Sequence, residues 1–167
     1  MGIRDKEIER LQKYAESLGL KVSWKRRVRG GVGAVWELDG EKVALILYQY
    51  PSQSKTSIIL NFLHELAHHL AYVNQGRELS KSVSKAFSKR DEELTENERR
   101  IVYETEKEDA AYRPIIAHEL NIKLPIEKIK ADIELDEWIY YRFYKDAKDP
   151  TQQEIREKRK ELKKKYS

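Results

Sequence analysis

One stretch constrains this chain more than any other. Residues Ile58 to about Val73, IILNFLHELAHHLAYV, are apolar almost all round a helix and are interrupted mainly by histidine, glutamate and asparagine. A helix without a polar face does not sit on a surface, so the rest of the chain is expected to wrap it. Polar side chains inside such a helix are costly to bury without partners. Three of the chain's four histidines nevertheless fall within six residues here. A metal ion would satisfy them together.

The spacing supports that reading. Residues four apart on a helix lie about 40° apart in projection, so the imidazoles of His64 and His68 can reach one ion. Glu65 points roughly 100° away from His64, close enough to act on a water carried by the metal without replacing it as a ligand. Zinc lowers the pKa of such a water towards about 7, and a carboxylate beside it can take the proton and pass it to a leaving amine. HExxH in this helix therefore predicts His64 and His68 as ligands of Zn2+ and Glu65 as the catalytic base. His69 points off that face and reads as a packing or surface residue. The plainer alternative is a pair of buried histidines bonded to backbone with Glu65 in an ion pair, which the apolar flanks disfavour.

A catalytic zinc usually takes a third protein ligand. The chain has no cysteine, and Ala71 and Asn74 stand where a metzincin would carry its glycine and third histidine. The segment YETEKEDAAYRP offers Glu104, Glu106 and Glu108. Glu104 and Glu108 share a helical face while Glu106 points away from it, which leaves two candidates. Ala111, three residues after Glu108, would let this helix approach the HELAHH helix closely. Tyr103, Tyr112 and His118 are candidate donors to a transition state, although structural roles weigh more for each.

HELAHH, followed in the next long helical pattern by Glu108, Ala111 and Tyr112 (ExxA plus an aromatic), resembles the ImmA/IrrE-type zinc metallopeptidases, many of them carried by phages and other mobile elements. The resemblance covers roughly residues 40–120. It implies Glu108 as the third ligand and a small twisted sheet packed on the active-site helix. It also implies a specific regulatory protein, such as a transcriptional repressor, as substrate.

The remaining segments fit an α+β, zincin-like architecture. A helix is expected from about Arg4 to Leu18, stopped by Gly19. Strands follow at Lys21–Val28, Ala34–Leu38 and Glu41–Tyr48, with Asp39-Gly40 as a hairpin signal. They predict a three-stranded antiparallel meander whose last strand, VALILY, is covered on both faces. Residues 76–94 read as a surface excursion, either a lid or a solvated loop. A helical pattern from Thr95 to about Leu120 should kink or break at Pro114, and Thr95 with Glu98 could form a capping box. C-terminal helices are expected from about Pro125 to Ala147 and after Pro150. A chain of 167 residues suits one core; the expected division is a metallopeptidase domain over 1–149 and a basic C-terminal helix or tail over 150–167.

Apolar residues at 40% and charged residues at 37% suit a soluble globular protein. No stretch approaches the roughly 18 apolar residues of a membrane span, and MGIRDKEIERLQKY lacks a secretory apolar core. A cytoplasmic location without a membrane partner is expected. The net charge of +4 is matched by the excess in the tail, and Lys21–Arg29 forms a second basic cluster around Trp24. The competing reading is thus a non-enzymatic zincin-like scaffold that binds DNA or a partner protein through these segments. A solvated helix end is the simpler account of the tail, and a purely structural metal site has no need of Glu65.

Overall fold

The computed structural model describes residues 5–28, 33–39, 42–75 and 93–167. Residues 76–92, most of the expected excursion, lie outside this set, as do 29–32 and 40–41. The chain divides into two compact units, Met1–Leu70 with Tyr112–Leu124, and Ala71–Ala111 with Pro125–Ser167.

In the first unit, Asp5 caps helix α1 (Lys6–Ser17): its carboxylate accepts from the amides of Glu7 and Ile8 at 2.9 and 3.2 Å. Ile8, Leu11 and Ala15 form its buried stripe. The helix ends where Gly19 takes φ 82°, a backbone conformation that glycine adopts without steric cost. Strand β1 (Lys21–Arg26) follows and packs with α1. Strands β2 (Ala34–Asp39) and β3 (Lys42–Gln49) are antiparallel, with Asp39 opposite Lys42; the expected Asp39-Gly40 hairpin turn lies partly outside the described residues.

The expected antiparallel meander is corrected here. The sheet is mixed, in the order β1-β3-β2, with β1 parallel to β3 and Lys21 opposite Ala44. The cause lies in β3, where the consecutive residues Leu45, Ile46 and Leu47 are all buried. A meander would have left this doubly apolar strand at an edge; the mixed order puts it between two neighbours and gives the edges to β1 and β2.

Helix α2 (Lys55–Gln75) begins at Ser54, whose hydroxyl accepts from the Ser57 amide at 3.1 Å. Ile58, Ile59, Phe62, Leu63, Leu66 and Ala67 along it are buried. Each large apolar side chain so buried contributes about 1.5–3 kcal/mol, which makes α2 the axis of this unit's core. Gly33, just before β2, lies against the Asn61 amide of α2, where any Cβ would collide. A side chain here would require the Asn61 amide to shift.

The short helix α4 (Tyr112–Glu119) completes the unit. The long helical pattern expected to kink or break at Pro114 is interrupted just ahead of it, between helix α3 (Glu96–Asp109) and α4. Pro114 then occupies the first turn of α4, where its missing N–H costs nothing. Arg10 of α1 donates to the Leu120 carbonyl at 2.9 Å, and Glu7 gathers three elements: it accepts from Lys55 Nζ at 2.7 Å and from the Lys123 amide.

Burial raises the pKa of the Glu7 carboxyl, but the bonds from Lys55 and Lys123 outweigh it and hold it below its ordinary value of 4.5. A carboxyl lowered in the folded state adds stability above that value and loses it as pH falls through the lowered one. Glu7→Gln should therefore reduce the unfolding free energy at pH 7 by about 1–3 kcal/mol, the weight of hydrogen bonds to a charged group. Urea denaturation should show the gap to wild type closing in acid.

The second unit is helical. Thr95 caps α3 by accepting from the Glu98 amide at 3.2 Å, and its hydroxyl donates to the Glu98 carboxylate at 3.1 Å. Helix α3 packs on α5 (Ile126–Asp146), and α5 on α6 (Gln152–Lys165). Leu94, Val102 and Phe143 form a core cluster, with Tyr140 packed against it. Helix α6 opens on a full Thr151–Glu154 capping box and buries Leu162, so the basic C-terminal segment is a docked helix. Its end is tied to α5, where Lys165 and Tyr166 bond to Glu134 at 2.8 and 2.7 Å. Among the described residues no helix is long and apolar enough to cross a membrane.

Candidate metal centre

Two of the expected ligands meet on α2. One helical turn brings the Nε2 atoms of His64 and His68 to 3.2 Å, with the rings 4.9 Å apart at 70°. Both side chains are half-buried. Two nitrogens that share a tetrahedral zinc at about 2.0–2.1 Å would be roughly 3.3–3.4 Å apart, so the observed separation fits one ion with little adjustment.

Glu65 is also half-buried, and its Oε2 accepts from the backbone amide of Trp36 at 2.9 Å. Trp36 belongs to β2, an edge strand of the sheet. The carboxylate is thereby fixed beside an edge strand and one residue along from His64, a position the sequence could not specify because it did not reveal which strand was the edge.

His69 takes the packing role expected of it. It is 1% exposed, its Nε2 lies 3.0 Å from the Leu18 carbonyl, and its Nδ1 is 3.4 Å from the Trp36 indole nitrogen. The neutral tautomer that serves both contacts carries its proton on Nε2. Burial pushes the His69 pKa below the usual histidine value, with the bond to Leu18 pulling the other way.

Arg113 was not anticipated. It is the largest fully buried side chain described, at 2% exposure, and its Nη2 lies 2.7 Å from His64 Nδ1. The sequence carries a signal for it: a lone arginine in AAYRPIIA, where every neighbour suits a core. A charge is retained in such a setting only when it has strong partners.

In the second unit α3 turns Val102, Glu106 and Asp109 inward. Glu106 is 4% exposed. Glu104 and Glu108, the pair favoured from the sequence, are exposed, and Glu104 pairs with Arg100 at 3.4 Å. Helical spacing did separate Glu106 from the other two, as expected; what it left open was which face is covered. Val102 points to the answer, since Glu106 and Asp109 stand four and seven residues after it and so share its side of the helix.

Of the candidate transition-state donors, Tyr103 belongs to an aromatic group with Tyr141 and Tyr144, at centroid distances of 5.5 and 5.8 Å. Tyr112 is half-buried at the start of α4, and His118 is exposed in its last turn. Trp24 is half-buried, packed edge-on against Phe62 and bonded through its indole N–H to Gln12 at 3.0 Å. That gives it a packing role in the first unit. Of the aromatic stripe on α5, Phe143 is core, while Trp138 and Tyr141 line a groove with Tyr103 and Tyr166.

No protein-family model matches the chain, and no match was found among curated proteins or solved structures.

Proposed function

We propose that the chain is a zinc-dependent metallopeptidase in which His64, His68 and Glu106 hold the metal and Glu65 acts as general base. The observation that carries this reading is the 3.2 Å separation of the two Nε2 atoms, with Glu65, the residue next to His64, held by the Trp36 amide at 2.9 Å. Glu106 takes the place that the family resemblance gave to Glu108, because a ligand carboxylate needs a sheltered position and Glu106 is the buried member of the three.

Zinc, when bound, supplies the Lewis acidity that polarises a carbonyl and makes water a nucleophile near neutral pH. Glu65 takes the proton of that water and returns it to the leaving amine as the peptide bond breaks. An extended peptide adding to the edge of β2 would pass the carboxylate held there, with main-chain bonds giving affinity and alternate side chains giving specificity. A specific regulatory protein remains the proposed substrate, on the resemblance alone.

The test is cleavage of a proteome-derived peptide library by tag-free protein. The proposal predicts cleavage that stops on chelation and returns with zinc; cleavage indifferent to chelation would overturn it.

A further inference from the structure

The groove of the second unit owes nothing to the metal centre. It holds about 640 Å³ and gathers four rings: Tyr103 from α3, Trp138 and Tyr141 from α5, and Tyr166 at the end of α6. Trp138 and Tyr141 stand three residues apart and so share a helix face. Tyr141 is 45% exposed. Each ring has a cation of the chain over it: Lys107 lies 6.0 Å from the Tyr103 centroid, Arg142 5.6 Å from Trp138, Lys145 5.9 Å from Tyr141 and Lys165 5.3 Å from Tyr166. In three of these pairs the cation follows the ring by four residues, so one helical turn sets a charge beside an aromatic face.

Two carboxylates also line the groove, and both are answered from within the unit. Glu134 accepts from Lys165 at 2.8 Å and from the Tyr166 hydroxyl at 2.7 Å. Glu137 pairs with Lys107 at 3.4 Å and accepts from the Tyr103 hydroxyl at 3.5 Å. Arg142 pairs with Asp146 and Glu154, and Lys158 with Glu161. Among the described residues, Lys130, which lines the groove, and Lys145, beside Tyr141, bond to no carboxylate. Both are exposed. The surplus at this groove is therefore positive, two ammonium groups set among aromatic faces.

A complementary ligand offers flat faces to stack and anionic groups between them. A cation would meet rings that already carry cations. An acidic peptide would answer the lysines and leave the rings without a partner. A single nucleic-acid strand supplies both, because every base has a π-face and every link carries a phosphate. A duplex keeps its base faces inside its own stack, so the groove should select unpaired bases. The net charge of +4 favours the approach of a polyanion.

We propose that the groove of the second unit binds single-stranded nucleic acid, with bases stacked on Trp138 and Tyr141 and phosphates met by Lys130 and Lys145. The proposal goes beyond the metallopeptidase reading and does not depend on it.

The test is fluorescence anisotropy of the full chain with a labelled single-stranded oligothymidylate of about 12 nucleotides, a length within the span of stacking grooves. The wild type should bind it, with or without a chelator present. Tyr141→Leu keeps the apolar bulk but removes the ring, and should weaken binding roughly 5–150-fold, the weight of one stacked base. The double variant Lys130→Gln, Lys145→Gln should flatten the slope of log affinity against log salt by about 1.4, at about 0.7 for each phosphate neutralised. Duplex DNA and polyglutamate should compete poorly. No binding of the single strand, full affinity in a folded Tyr141→Leu, or equal competition by duplex or polyglutamate would overturn the proposal. Binding that is lost on chelation would also overturn it, by moving the ligand to the metal centre. If Tyr141→Leu does not fold, the double lysine variant decides: an unchanged salt slope would overturn the groove as the site.

Discussion

Glu65→Gln is expected to retain zinc while losing peptide hydrolysis by about 10²–10⁴-fold, the range assigned to a positioned general base. The substitution preserves shape, and the glutamine carbonyl can still accept the Trp36 amide bond that fixes Glu65 at 2.9 Å. What disappears is the capacity to take a proton. Zinc content, thermal stability and cleavage rate should therefore separate cleanly, with only the last changing. A variant that lost metal as well would show Glu65 to be a ligand; one that kept full activity would remove it from the chemistry.

The second large effect distinguishes the three glutamates of α3. Glu106→Ala should weaken zinc binding by more than about 100-fold, beyond the 10–100-fold usual for residues that only orient a ligand. Glu108→Ala and Glu104→Ala should leave affinity close to wild type, because both side chains are exposed. Competition with a chromophoric chelator measures all three. If Glu108→Ala were the damaging change, the family resemblance would have given the ligand correctly and the burial of Glu106 would need another cause.

The parts of this molecule legible in its sequence are those governed by local rules. Helix α2 announced itself because a surface apolar almost all round admits one placement, and its histidine spacing follows from helical geometry alone. The β2–β3 pairing came from two residues, Asp39 and Gly40. The position of β1 did not, because parallel pairing with β3 is a long-range choice decided by which strand most needs neighbours on both sides. Consecutive Leu45, Ile46 and Leu47 held that information, but only against the alternative of an edge position.

The same divide runs through the site. His64, Glu65 and His68 lie on one turn and could be read together. Glu106 and Glu108 could be told apart by face, yet the choice of the inward face required weighing Val102 against a run of charges. Arg113 was hidden by the attention its neighbour Pro114 attracts as a helix breaker. Its burial beside His64 follows from how α4 packs in the first unit, and no spacing rule reaches across a separation of 49 positions.

The most direct measurement is the zinc content of protein purified without a metal-affinity tag. The account predicts about one zinc per chain after reconstitution, none in His64→Ala, and an undiminished amount in Glu65→Gln. A wild type that takes up no zinc when it is supplied, or one whose zinc survives His64→Ala, would contradict it.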